Sequence, residues 1–168
     1  TFLEMGGIAN TIRLAKWSIS GAVWSAMSTG ANAQVFTFAF GPDGNLYIGG
    51  QFTSLGGITL SRIGKWNGVT FLPVGAVDSL NSNVRSLSFT SSGLLYAAGD
   101  FTTADGITLQ NRAAVFDGGS WTPIDVTTPG TRINVVYVDQ IGGVTIGFDD
   151  LGSATSPSVT TVTHTGTG

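Results

Sequence analysis

The chain has 168 residues, of which 42% are hydrophobic and 10% charged, with a formal net charge of −3. That length and apolar content suffice for one folded domain with a core, which excludes a disordered chain. The sparse, net acidic charge excludes nucleic acid as an expected partner, and the lack of cysteine excludes disulfides and thiolate catalysis.

Polar uncharged residues dominate the expected surface, because charged residues are scarce. This composition is typical of extracellular or virion proteins, so we expect an extracellular or virion-surface localisation. No stretch approaches about eighteen uninterrupted apolar residues, so no membrane insertion is expected. The sequence begins inside a pattern that recurs later, and we expect a processed product or an excerpt of a longer protein.

The first predicted elements are two short apolar segments, each bounded by turn residues. They are TIRLAKW at 11–17 and GAVWSAM at 21–27. Short segments rich in β-branched and aromatic residues are typical of strands. We interpret them as the last two strands of an incomplete unit at residues 1–30.

The next stretch, residues 31–79, contains four such segments and defines a repeat unit. We label its predicted strands a (35–40), b (45–50), c (62–66) and d (70–74). Between a and b the segment GPDGN supplies a tight turn, since Gly and Asp tolerate positive φ.

The unit recurs along the rest of the chain. Apolar residues stand 49 positions apart at Val35, Val84 and Ile133. A second complete unit is assigned to 80–128, and a degenerate one with strands a, b and c to 129–168. The sequence therefore predicts an all-β fold of four-stranded antiparallel repeats, with a period of about 47 to 50 residues and about 3.4 units.

Glycines and aromatic residues occupy fixed places in each unit. Strand b closes on the pair Gly49 and Gly50, where glycine allows close approach of a neighbouring backbone. Strands c and d each carry an aromatic, at Trp17, Trp66 and Phe116 in c and at Trp24, Phe71 and Trp121 in d. We interpret all eight residues as packing positions, and we expect Gly50→Val to be more damaging than the same change at Gly57 in an exposed loop.

Four segments in particular carry a resemblance: LYIGGQF, TSLGGITLSR, IGKWNG and TFLPV. They resemble the repeats of kelch-like and galactose-oxidase-like β-propellers of the kind found in bacterial surface proteins and phage tail or fibre proteins. The resemblance implies that each unit is a propeller blade. The last unit departs from the pattern, with Thr145 at the tyrosine position, Phe148 and Asp149 where Gly99 and Asp100 stand in the preceding unit, and His164 at the aromatic position of strand c.

Two complete and two partial units are too few for a ring, which needs about four blades. Three alternatives follow from this shortfall. Upstream blades of a longer chain complete the ring, other protein chains complete it, or the sheets form an open stack.

Two sets of recurrent residues are weak candidates for a site. Asp100 and Asp149 follow strand b at one repeat phase and could hold Ca²⁺, but we favour hydrogen bonding within their own loops. Arg62 and Arg112, which share a phase with Arg13, could line a groove for an acidic or sugar ligand. We favour stacking on aromatics or bonding of loop carbonyls.

No nucleophile, dinucleotide, phosphate or zinc signature occurs, so we expect no catalytic residues, no metal and no cofactor. VFDGGSW at 115–121 only loosely resembles the Asp box of sialidases. We predict a non-enzymatic structural or adhesion segment of an extracellular or virion assembly, with protein partners. The alternative is a carbohydrate-binding module, or the non-catalytic part of a secreted glycan-active enzyme, which would add glycans as partners.

Overall fold

The computed structural model describes residues 5–9, 12–75, 80–109, 112–124, 132–139, 143–149 and 158–162. All regular secondary structure in these ranges is β-strand. The predicted all-β class is therefore confirmed. Within the same ranges, no helix has the length and apolar character needed to cross a membrane.

The described strands are short and antiparallel. In chain order they are β1 (Ala15–Ser18), β2 (Val23–Ala26), β3 (Val35–Phe40), β4 (Leu46–Gly50), β5 (Ser54–Leu55), β6 (Ile58–Thr59), β7 (Ile63–Trp66), β8 (Phe71–Leu72), β9 (Val84–Phe89), β10 (Leu95–Gly99), β11 (Thr103–Ala104), β12 (Ile107–Thr108), β13 (Ala113–Phe116), β14 (Trp121–Pro123), β15 (Arg132–Val138), β16 (Val144–Asp149) and β17 (Ser158–Val162). The pairs β5–β6 and β11–β12 form two small hairpins in the loops between strands b and c, which the sequence did not predict.

The larger strands form four antiparallel sheets. Sheet I is β1–β2, sheet II is β3–β4–β7–β8, sheet III is β9–β10–β13–β14, and sheet IV is β15–β16–β17. In sheets II and III the four strands lie side by side in the order a, b, c, d. Sheet I holds counterparts of c and d, and sheet IV holds counterparts of a, b and c.

The register corrects one assignment in sheet IV. Leu46 on strand b faces Trp66 on strand c in sheet II, and the corresponding Val144 faces Val162 in sheet IV. Val162 thus takes the aromatic position, and the expectation that His164 takes it was wrong. His164 itself lies outside the described residues.

A β-bulge near the start of each strand a explains why one residue of the predicted pair, Gly50, must be glycine. The register shifts between Val35 and Thr37 in β3, and the counterparts in β9 and β15 shift at the same place. A Cβ on Gly50 would fall on the carbonyl oxygen of Gln34, because the bulge presses that backbone against β4. Gly49 is less constrained, since its Cβ would meet only side-chain atoms of Thr37 and Val84.

The sheets stack face to face in chain order, and the core lies between them. An apolar cluster joins sheets I and II around Leu14, Met27, Ile48 and Phe71. A second joins sheets II and III, with members Tyr47, Ile63, Leu87, Leu95, Phe101 and Trp121. A third joins sheets III and IV, with members Tyr96, Ala98, Val136 and Ile146. The core is therefore divided among the three interfaces between neighbouring sheets rather than gathered at one centre.

Hydroxyl groups connect the a strands of successive sheets. The N–H of Leu87 donates to Thr37 Oγ1 at 3.2 Å, and 49 residues later the N–H of Val136 donates to Ser86 Oγ at 3.0 Å. Ser88 Oγ likewise accepts the N–H of Val138 at 3.0 Å. The spatial relation of sheet II to sheet III is thus repeated between sheets III and IV.

Both ends of the described stack are uncovered. Phe38 and Phe40 on β3 are 53% and 74% exposed, although their counterpart Phe89 packs on Tyr47 of the preceding sheet. At the other end, Val135 and Tyr137 on β15 are 50% and 60% exposed. The described sheets therefore do not close into a ring.

Candidate functional site

The loops between strands b and c, which carry the candidate residues, are anchored by an asparagine. Asn81 Oδ1 accepts the N–H groups of Thr102 at 2.8 Å and Thr103 at 3.1 Å, and Asn81 Nδ2 donates to Thr102 Oγ1 at 3.0 Å. In sheet II, Asn32 makes the same three bonds to Thr53 and Ser54. The 49-residue spacing of the two asparagines was the signal that sequence analysis missed.

The recurrent arginines lie where these loops return to the sheet. Arg13, Arg62 and Arg112 all have positive φ, at 59°, 64° and 54°. Residues other than glycine rarely adopt this region of backbone conformation, so the surrounding hydrogen bonds must hold the three arginines in it. Arg62 Nη1 donates to the carbonyl of Gln51 at 2.8 Å, and Arg13 Nη1 donates to that of Ala31 at 2.9 Å. These two guanidinium groups bond loop carbonyls.

Asp100 is engaged in an ion pair. Arg85 donates to its carboxylate through Nε at 3.1 Å and Nη2 at 2.9 Å, and Asn83 Nδ2 adds a bond of 3.0 Å. This bidentate pair compensates the carboxylate charge. Asp149 ends β16 opposite Arg132, and its side chain lies outside the described residues. Among the residues that the structure describes, no three His, Cys, Asp or Glu side chains converge as metal ligands would.

A second polar cluster joins the turn between strands a and b to the interface of sheets II and III. The Tyr47 hydroxyl donates to Asp43 Oδ2 at 3.0 Å, and Lys65 Nζ lies 3.9 Å from the same oxygen. The Tyr47 ring meets Phe89 edge-on, with centroids 4.8 Å apart. Burial, with the hydrogen bond and charge of Asp43, raises the pKa of Tyr47 to about 12.

The pKa of Asp43 is shifted in the opposite direction, below its usual value. Burial alone would raise its pKa, but hydrogen bonds from Asn45 and Tyr47 and the charge of Lys65 outweigh burial and hold the pKa below 3.8. The turn therefore carries a carboxylate throughout the neutral range. It tethers Tyr47 at the sheet interface.

Alkaline titration should reveal the Tyr47 environment. Because the folded pKa of about 12 exceeds the usual 10.0, the stabilisation from protonated Tyr47 is complete below pH 10 and is lost as pH rises through 12. Ultraviolet absorbance should show a tyrosine step near pH 12 that Tyr47→Phe removes. Tyr137→Phe, at an exposed position, is the control and should keep that step. A Tyr47→Phe variant that still shows the step would contradict the assignment.

The repeat aromatics form cross-strand pairs. The ring centroids are 5.1 Å apart for Trp17 and Trp24, 4.7 Å for Trp66 and Phe71, and 5.1 Å for Phe116 and Trp121. Each pair joins strand c to strand d in register. In sheet III Trp121 is fully buried, whereas Trp17 in sheet I is 45% exposed.

The stretch that loosely resembles an Asp box is a capped turn. Asp117 Oδ1 accepts the N–H groups of Gly119 and Ser120, both at 2.8 Å, which lowers the pKa of Asp117. In sheet II, Asn67 accepts the N–H groups of Val69 and Thr70 at the matching place. Asp117 therefore stabilises the turn between strands c and d.

Among the clefts in the described part of the chain, two lie at a candidate residue or at an uncovered face. A cleft of about 380 Å³ opens in the b–c loop of sheet II, and its lining combines the polar residues Thr53, Thr59, Ser61, Arg62 and Asn81 with two leucines. A cleft of about 460 Å³ lies between sheet I and β3 and is mostly apolar, with Trp24, Phe38 and Phe40 in its lining. The structure places Arg62 in the first cleft.

Comparison of this sequence with known protein families and with curated proteins finds no match.

Proposed function

We propose that this chain is a propeller-type, non-enzymatic scaffold or adhesion segment of an extracellular or virion assembly, such as a phage tail or fibre. One observation carries the proposal. Sheets II and III have the same strand order. In each, a side-chain hydroxyl on strand a accepts a backbone N–H from strand a of the next sheet. A propeller consists of similar sheets, each of which is related to the next by the same spatial operation.

The engagement of polar groups supports a structural role. Asp100 is paired with Arg85, Arg62 bonds a loop carbonyl, and Asp43 holds Tyr47. Catalytic acids and bases instead combine a reachable position with a pKa near the working pH. The low fraction of charged residues adds support for an extracellular or virion surface.

Immunogold electron microscopy tests the localisation and the assembly together. An antibody against the chain should label the surface of cells or of virus particles from the source organism at regular positions. Label confined to the cell interior would contradict the proposal, as would turnover of a small substrate by the purified chain. Preimmune serum on the same grids is the control.

The cleft in the b–c loop, with its mixed polar and apolar lining, favours a second function, carbohydrate binding. Hydroxyl, amide and guanidinium groups line it, and these groups suit sugar hydroxyls. A glycan array should then give binding that Thr59→Ala weakens severalfold, since Thr59 lines the cleft and is exposed. Lys16→Ala, which alters an exposed side chain on sheet I, should leave binding unchanged. Absence of binding by the folded chain would exclude this function for the glycans on the array.

A further inference from the structure

The residues exposed at the β3 end of the stack occupy repeat positions whose counterparts inside the stack are covered by a neighbouring sheet. Phe38 and Phe40 correspond to Leu87 and Phe89, which pack against strand b of the preceding sheet. Phe38 and Phe40 are exposed because no strand among the described residues covers them beside β3. A patch of large apolar side chains at such a place marks an interaction surface.

The apolar cleft lies where those strands belong. It separates β3 from sheet I, and its lining includes Leu14 and Ala15 on the side of β1 and Phe38 and Phe40 on β3. Sheet I contains only the counterparts of strands c and d, and β1 pairs with β2 alone among the described strands. The cleft therefore takes the position of strands a and b of this sheet.

Sheet IV offers the complementary strands. β15 and β16 are its a and b strands, and the outward side of β15 exposes Val135 and Tyr137. Their counterparts in sheet III, Ser86 and Ser88, face the next sheet. The open side of β15 is thus the side that a following sheet would cover, and it is apolar where the inner interface has hydroxyls.

β1 fits strand c better than β17 does. In every complete sheet an aromatic on strand c faces an aromatic on strand d, and Trp17 and Trp24 keep that pair on β1 and β2. In the backbone register, β17 instead has Val162 at this position. Strands β15 and β16 with β1 and β2 would form a complete four-stranded sheet.

We propose that a second copy of this chain docks head to tail, with its β15 and β16 filling the cleft beside β3. Tyr137 and Val135 of the second copy then cover Phe38 and Phe40, and β16 pairs with β1 in place of β17. This docking rests on the propeller-type arrangement proposed above. Contacts of this heterologous kind close into a ring when the rotation per copy permits.

The number of sheets fixes the number of copies. Each chain supplies two complete sheets, and each docking contact creates one more from shared strands. Two copies make a ring of six sheets, whereas three would make nine, and propellers hold about four to eight blades. The expected assembly is a dimer.

Light scattering after size-exclusion chromatography provides the test. The wild-type chain should have twice the 17.3 kDa mass of one copy. Phe38→Asp and Tyr137→Asp should each shift the mass to that of one copy and should remain folded, because both positions are exposed. Val69→Asp, at a position 83% exposed on a distant turn, is the control and should stay dimeric.

Mixing the two variants separates head-to-tail docking from other contacts. One intact Phe38 face can still meet one intact Tyr137 face, so an equimolar mixture should regain a species of two copies. Failure of the mixture to associate would overturn the proposal, as would a Tyr137→Asp variant that stays dimeric while Phe38→Asp becomes monomeric. A monomeric wild-type chain would also overturn it and would assign the face to another segment or partner.

Nuclear Overhauser contacts between the Tyr47 and Phe89 rings distinguish failure of the docking proposal from failure of the propeller-type arrangement proposed above. These rings belong to adjacent sheets of one chain. If the wild-type chain is monomeric and retains these contacts, only the docking proposal is contradicted. If it is monomeric and lacks them, the propeller-type stack is contradicted as well.

Discussion

Gly50→Val is expected to lower the free energy of unfolding by about 3 kcal/mol or more, because its side chain has no space to enter. Gly50 is buried opposite the bulge of β3, and its Cβ would coincide with the backbone carbonyl of Gln34. Backbone atoms of a paired strand cannot rotate away as a side chain can. Urea unfolding at a fixed chain concentration, followed by tryptophan fluorescence, measures the loss.

Two other glycines provide controls for this prediction. Gly57 is exposed with φ of 83° and open space around it, so Gly57→Val should cost only the backbone strain of about 1 to 2 kcal/mol. Gly49→Ala should also cost less, since its counterpart in sheet III is Ala98. Equal losses for Gly50→Val and Gly57→Val would show that the bulge does not set the requirement.

The sequence predicted the strands of the repeat well because several signals coincide there. Short apolar segments, turn glycines and aromatic residues all recur with nearly the same spacing, so each unit supports the assignment of the others. Predicted strand a at 35–40 agrees with β3, and predicted strand c at 62–66 agrees with β7 to within one residue. Repetition made the pattern stronger than any single segment.

Other features depend on contacts that periodicity does not record. The hairpin β5–β6 has two residues in each strand, too few for any alternation. The anchor Asn32 acts on a loop some twenty residues away, so its role emerges only when the loop folds back. Trp24 and Trp121 occupy the same position in strand d of their units, yet Trp24 is only half-buried and Trp121 is fully buried, because a preceding sheet covers only the second among the described sheets.

The candidate site was the least predictable part. Arg85 was not singled out from the sequence, although it is the partner of Asp100. Arg85 is the unpaired residue of the bulge at the start of β9, between Val84 and Ser86, where the regular alternation of side chains is interrupted. Local distortions of this kind have no signature in spacing alone.

Trp121→Ala is expected to destabilise the chain by about 3 to 5 kcal/mol, the usual cost of emptying a large buried site. Trp121 is fully buried in the cluster between sheets II and III and packs on Phe116. Trp17→Ala removes a half-exposed tryptophan of strand c as a control, and it should cost about 1 kcal/mol, mainly through the lost contact with Trp24. Similar losses for the two variants would contradict the burial difference between sheets I and III.

Trp121→Phe separates the packing of this side chain from its polar atom. The indole Nε1 of Trp121 is buried and meets no acceptor among the described residues. A buried donor without a partner costs about 1 to 3 kcal/mol, and phenylalanine removes that cost while keeping one ring against Phe116. The smaller ring leaves a void that partly cancels the gain. Urea unfolding should therefore place Trp121→Phe within about 1 kcal/mol of the wild-type chain, and a loss as large as that of alanine would mean that Nε1 has a hydrogen-bond acceptor in solution.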